Sequence, residues 1–294
     1  MISIDQIPRT IRDVNLNYED QLFLLGYELS NDHVKSGESV TLSLYWLCQK
    51  KTDLNYSVSI RIYGRDQKLV GSADTYPDSG RRATQFLVPG NVIRDVYAIQ
   101  IDKDAVSPTA ADIRVALYST IQGRNLSVSD TRGKILNSMP VVARLAIVPA
   151  QPVPQAQQVV VDYNLGNKIQ LVGYTLDSSE MLANGKWSIT LYWRSISPLS
   201  EDYTVFVHLL DDRGTKIAQV DEQPINNYYP TSLWQTQDII RDTHTLILPS
   251  DFASGNYTLS IGMYLLSTGM RLPIIPSSSP ITEIKLGPYN LPTR

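Results

Sequence analysis

The chain is poor in the residues that usually do chemistry. It has a single cysteine, Cys48, among 294 residues, so no disulfide can form within it and no thiolate metal site can be assembled. That usage leans towards a reducing compartment, although an exported domain of this size can stand without staples. Histidine is almost as scarce: His33, His208 and His244 are the three present, and no two lie at metal-ligand spacing. His33 falls in the polar run Ser30-Asn31-Asp32-His33, which reads as a solvated loop. Nothing approaches the roughly 18 consecutive apolar residues of a membrane-spanning helix. The first 14 residues, MISIDQIPRTIRDV, lack the basic start and apolar run of a secretory signal. As written, the chain reads as soluble, with no direct membrane insertion. Any anchor or export signal would lie on sequence beyond it.

Charge of either sign is in little excess. The formal net charge is −3 and charged residues make up 19%. Nucleic acid is therefore not an expected partner, because binding it needs a clustered basic face. No glycine-rich phosphate loop and no G-x-S-x-G elbow occurs. Asp211-Asp212 lacks the alternating oxygen ligands of a calcium loop and reads as a hairpin turn closed by Gly214. No catalytic residue, metal or cofactor is assigned.

What is present is a repeat. Leu24-Leu25-Gly26-Tyr27 returns 147 residues later as Leu171-Val172-Gly173-Tyr174 (27 to 174). In the same register Leu44-Tyr45-Trp46 matches Leu191-Tyr192-Trp193, and Asn55-Tyr56-Ser57-Val58 matches Asp202-Tyr203-Thr204-Val205. Val92-Ile93-Arg94-Asp95 matches Ile239-Ile240-Arg241-Asp242. With small gaps, Asp13-Val14-Asn15-Leu16 parallels Asp162-Tyr163-Asn164-Leu165, Val115-Ala116-Leu117-Tyr118 parallels Ile261-Gly262-Met263-Tyr264, and Pro140-Val141-Val142 parallels Pro280-Ile281-Thr282 at the start of a last strand. The chain thus divides into a first unit, 1–149, a Pro/Gln-rich linker, 150–158, and a second unit, 159–294.

Each unit carries a period of two. Trp187, Ile189, Leu191 and Trp193 fall on one side of a strand, with Ser188, Thr190, Tyr192 and Arg194 on the other. Val40, Leu42, Leu44 and Trp46 alternate in the same way, which places Trp46 and Trp193 in the core. Short alternating runs between turn signals such as Ser267-Thr268-Gly269 predict an all-β chain of two tandem antiparallel β-sandwiches, jelly-roll or Ig-like. One segment, 107–113, reads as a single helical turn.

The most informative cluster is aromatic. Asn226-Asn227-Tyr228-Tyr229-Pro230-Thr231-Ser232-Leu233-Trp234-Gln235 forms a long connection rich in rings and amides, the groups that stack on sugar faces and reach their hydroxyls. Tyr192, Phe206, His208 and Tyr264 fall on the non-core parity of their strands and would form an aromatic–polar face if those strands are neighbours. Together with Tyr228, Tyr229, Trp234 and His244 they make the candidate ligand-binding set. The bland alternative has Trp234 folding down to cap its sandwich, and His208 and His244 serving as structural links to Asp221 and Asp242. At these positions the first unit has Arg61, Tyr97 and Leu87 in place of His208, His244 and Trp234, so any site belongs to the second unit.

The runs Asn164-Leu165-Gly166-Asn167-Lys168-Ile169-Gln170-Leu171-Val172-Gly173-Tyr174, Leu191-Tyr192-Trp193-Arg194, Asp202 to Asp211, Pro230-Thr231-Ser232-Leu233-Trp234 and Asp242-Thr243-His244 resemble a known module. They are similar to the β-sandwich repeats at the C-terminal end of bacterial multi-pass membrane glycosyltransferases, the mannosyltransferase-like proteins that use lipid-linked sugars. The resemblance spans the second unit nearly end to end. It touches the first only at its Leu-Gly-Tyr and Leu-Tyr-Trp anchors. It implies a non-catalytic accessory module on the extracytoplasmic face, in contact with glycan or with the parent membrane enzyme or another protein. A structural spacer or protein-interaction module is the alternative. A glycoside hydrolase is the third reading, since a carboxylate pair can be assembled by the fold.

Overall fold

The structure, a computed structural model, describes residues 6–52, 54–151, 159–276 and 281–293. The chain forms two compact units, Met1–Ala150 and Gln151–Arg294. From residue 152 on, the expected linker lies outside the described residues, as does Pro280.

Unit 1 contains β1 Arg12–Tyr18, β2 Leu22–Leu29, β3 His33–Lys35, β4 Ser39–Cys48, β5 Ser57–Tyr63, β6 Leu69–Thr75, β7 Val92–Gln100, β8 Thr109–Ser119, β9 Arg124–Asn125, β10 Val128–Ser129 and β11 Val141–Val148. Unit 2 contains β12 Val159–Leu165, β13 Ile169–Asp177, the single helical turn α1 Met181–Asn184, β14 Lys186–Ser195, β15 Tyr203–Leu210, β16 Lys216–Glu222, β17 Ile239–Ile247, β18 Gly255–Leu265, β19 Ile274–Ile275 and β20 Ile284–Leu291.

The sheets of the two units correspond. One sheet of unit 1 runs β10-β1-β2-β4-β7 and its counterpart runs β19-β12-β13-β14-β17. The opposing sheets run β11-β8-β5-β6 and β20-β18-β15-β16, with β3 added parallel to β11 in unit 1. Even the irregularities recur. The pairing of β2 with β4 slips at Leu24/Gly26, and that of β13 with β14 slips at Leu171/Gly173. The repeated Leu-Gly-Tyr motif is therefore a β-bulge. Its glycine is required in unit 1, because a Cβ on Gly26 would lie 2.5 Å from the Arg12 carbonyl oxygen.

Alternation builds the cores. Trp46 and Trp193 are fully buried, as are Leu42, Leu44 and Leu191 on the same parity. Tyr18 packs edge-on against Trp46 at 5.2 Å, and its hydroxyl donates to the Val115 carbonyl across the sandwich at 3.0 Å.

Segment 107–113 is not helical. From Thr109 it belongs to β8, where Ala111, Ile113 and Val115 point inward and pair with β5 and β11. Burial at period two overrides a short run with no helical stripe of its own. Among the described residues the one α-helical turn is at 181–184, ended by Gly185 at φ 66°. His33 opens β3 rather than lying in a free loop.

Candidate functional site

The loop 223–238, between β16 and β17, is built around its own aromatics. Tyr229 is buried and its hydroxyl donates to the Leu233 carbonyl at 3.1 Å. Trp234 is 5% exposed and its Nε1–H donates to the Tyr229 carbonyl at 3.2 Å. These rings are the loop's interior and offer no free face to a sugar. Tyr228 is half-buried. The chain here turns left-handed for three residues, Ile225, Asn226 and Asn227, at φ 57°, 55° and 68°. That conformation is costly for a β-branched residue. It is held by the Asp242 carboxylate, which accepts from the Ile225 N–H at 2.8 Å. Unit 1 repeats the device. Asp78, Ser79 and Gly80 take φ 61°, 54° and 83°, and the Asp78 N–H donates to Asp95 at 2.9 Å.

His244 belongs to this anchor. It is fully buried, with Nε2 2.6 Å from Asp242 Oδ2 and Nδ1 3.3 Å from Glu222 Oε1. The second is a charge contact, and Nδ1 has no hydrogen-bond partner among the described residues. Trp193 Nε1–H also donates to Asp242 Oδ2, at 3.2 Å. Burial is the largest influence on the imidazole and lowers its pKa. Asp242 and Glu222 together outweigh it and raise the value to about 9. In unit 1 the partner of the buried carboxylate is the Tyr97 hydroxyl. There burial dominates and raises Asp95 to about 6, against the hydrogen bonds from Tyr97 and from the Asp78 backbone. In unit 1, Trp46 Nε1–H has no hydrogen-bond partner among the described residues.

Three candidates do meet on one face. Phe206 and His208 on β15 and Tyr264 on β18 lie on the non-core side of their sheet, with ring centroids 5.1 Å (Phe206–His208) and 6.3 Å (Phe206–Tyr264) apart. His208 Nε2 sits 2.9 Å from Asp221 Oδ1 on β16. Tyr192 does not join them, because β14 lies in the opposing sheet, and it is 4% exposed. Parity tells which side of its own strand a residue takes. Which sheet receives the strand is decided by topology.

Sequence reasoning missed Arg271 and Glu283. The Arg271 guanidinium lies over the Phe206 ring, 4.2 Å from its centroid, and covers it. Glu283 Oε2 accepts from the Ser260 hydroxyl at 2.7 Å and lies 3.6 Å from Arg271 Nη1. Both were within reach of the pattern. A turn at Ser267-Thr268-Gly269 sets Arg271 across from Tyr264, and the two form an isolated bridge. Glu283 and Lys285 alternate with the buried Ile284 and Leu286.

Arg271 and Glu283 also form part of a groove of about 900 Å³ beside this face, lined by Asp162, Tyr163, Ile275 and Lys285 among others. Asp162 and Tyr163 come from β12 and the rest from the β18–β20 connection and β20. Hydrogen bonding from Ser260 and the nearby Lys285 and Arg271 lower the pKa of Glu283 below the usual carboxylate value, against the upward pull of burial. Among the described residues no group of three or more His, Cys, Asp or Glu side chains could hold a metal ion.

No protein-family model and no curated protein matches the chain. Solved structures resemble it faintly. A glycosyl hydrolase family 2 member from Bacteroides cellulosilyticus is 7% identical, with a TM-score of 0.24, over 81% of this chain and 26% of that one. A β-glucuronidase from Bacteroides uniformis is 11% identical, with a TM-score of 0.25, over 87% and 26%. The chain spans about a quarter of the length of these enzymes. Likeness at that level carries no argument about this chain's activity.

Proposed function

We propose that the chain is a non-catalytic accessory module whose second unit contacts glycan through the groove and the aromatic–polar face beside it, as part of an extracytoplasmic membrane-glycosyltransferase-type protein. The observation that carries the glycan reading is the continuity of the two surfaces. The groove is of ligand size, about 900 Å³. It combines a tyrosine, aliphatic walls and charged hydrogen-bonding groups, and Arg271 and Glu283 join it to Tyr264 and His208. The parent enzyme enters through the sequence resemblance. No helix among the described residues is long and apolar enough to cross a membrane.

The buried polar groups argue against chemistry of their own. Asp95, Asp242 and His244 are all spent on holding loops. Calorimetric titration of the intact chain against a polysaccharide panel tests the reading. Binding is expected, weakened by Tyr163→Ala and Tyr264→Ala with the melting temperature little changed. Failure to bind any polysaccharide would remove the carbohydrate version.

One observation favours protein contact instead. Val159 and Val160, on the same strand as Tyr163, are 52% and 78% exposed. Capture of the parent membrane segment by the intact chain, lost in Val160→Asp, would support that alternative.

A further inference from the structure

We propose that the groove of unit 2 selects glycans carrying carboxylates, the uronate class, through Arg271 backed by Lys285; this deepens the glycan reading above and rests on it. The geometry begins under the arginine. Phe206 is seated on Gly262, where an added Cβ would lie 2.6 Å from the ring, and the Arg271 guanidinium lies on the ring's vicinity from the groove side. The Phe206 ring is fully buried, and the guanidinium lies over it while remaining 38% exposed. A planar guanidinium fork is the group that recognises a carboxylate through two parallel hydrogen bonds.

Among the described residues, no close charge-assisted hydrogen bond occupies that fork. Its acidic neighbour, Glu283, lies 3.6 Å from Arg271 and 3.4 Å from Lys285, both longer than charge-assisted hydrogen bonds of about 2.7–2.9 Å. Glu283 is meanwhile engaged by the Ser260 hydroxyl at 2.7 Å. Two cations thus share one carboxylate that already has a partner. Their side chains remain 38% and 62% exposed. The facing acid, Asp162, takes the Gln170 amide at 2.5 Å.

Two other clefts among the described residues differ. In the cleft of about 280 Å³ on unit 1, Arg12 is gripped by both oxygens of Asp32, at 2.9 and 2.5 Å. In that of about 380 Å³ on unit 2, Asp177 and Glu180 face a single Lys186 and repel an anion. Unit 1 also has Ser59 where unit 2 has Phe206, so it has no ring at that position to hold an arginine.

The test uses the intact chain and paired probes at low salt: uronate oligomers, polygalacturonate and alginate fragments among them, each with its methyl ester, and a sulfated glucan. At least one uronate should bind about tenfold or more tighter than its ester, the scale of a hydrogen bond to a charged group. Arg271→Lys, which keeps the charge and loses the fork, and Arg271→Gln should both erase that preference while ester binding persists. If the Arg271 variants fail to fold, Lys285→Gln, at an exposed position, should still reduce the preference severalfold. Equal binding of acid and ester overturns the uronate proposal and leaves the glycan reading standing. Absence of all binding overturns both. Preference for the sulfated glucan over every uronate, or an acid preference unchanged by Arg271→Gln, also overturns the proposal.

Discussion

A single buried hydroxyl does the same task twice in this chain. Thr84 accepts from the Tyr56 N–H and donates to the Leu54 carbonyl, both at 2.9 Å. Thr231 does the same with Tyr203 and Glu201 at 2.9 and 2.6 Å. Thr231→Val keeps the shape and strands two backbone groups, at about 1–3 kcal/mol each. Urea unfolding of the variant should show a loss of that order. Trp234→Ala should cost about 3–5 kcal/mol as a buried ring is removed. A variant that melts like the parent would show that the ring is not the loop's interior. Both residues stand in the run Pro230-Thr231-Ser232-Leu233-Trp234, so their importance was visible and their roles were not. Parity placed Trp46 and Trp193 because strands have a period. A loop has none, and whether Trp234 turns in or out depends on the closure that Thr231 and Asp242 impose.

Among the elements, the strands were legible and their partners only partly. Alternation identified β14, β15 and β18 but could not show that Tyr192 belongs to a different sheet from Phe206, since pairing depends on residues far apart in sequence. The pairing of β15 with β18 carries a size exchange relative to unit 1. Phe206 stands opposite Gly262, and Ser59 stands opposite Ala116. Gly262→Ala would force the added methyl against the Phe206 ring, at about 1–3 kcal/mol for an overpacked contact. In a Phe206→Ser background that cost should fall to the remaining close approach of the methyl to the Thr282 carbonyl oxygen, 3.1 Å away. A double-mutant cycle by denaturant unfolding measures the coupling. Additive changes would refute the exchange.

Taken whole, the molecule should lose stability with rising pH in both halves, but over different pH ranges. His244 titrates near 9 when folded and near 6.5 as a free side chain. The stabilisation it brings to unit 2 is full below pH 6.5 and is lost as pH rises through 9. Asp95 is raised from 3.8 to about 6, so its contribution to unit 1 is full below pH 3.8 and is lost as pH rises through 6. Each difference corresponds to on the order of 3 kcal/mol. Melting curves of the intact chain should flatten between pH 4 and 6 in Asp95→Asn and between pH 7 and 9 in His244→Gln. The division into two units could be read from the repeat at an offset of 147. The divergence of their anchors could be read only as a list of differing residues, because the carboxylate each one faces comes from folding.

The size exchange between β15 and β8 also bears on how such a chain folds without error. Two similar domains on one polypeptide are prone to trade strands while both are still forming. If β15 were to pair with β8, the Phe206 ring would fall opposite Ala116 where its own partner offers a glycine. If β5 were to pair with β18, Ser59 would leave the space over Gly262 unfilled. Each wrong partnership is penalised, one by collision and the other by a void. The same few atoms that seat an arginine in the native unit should thus disfavour an exchange of strands between two copies of one design.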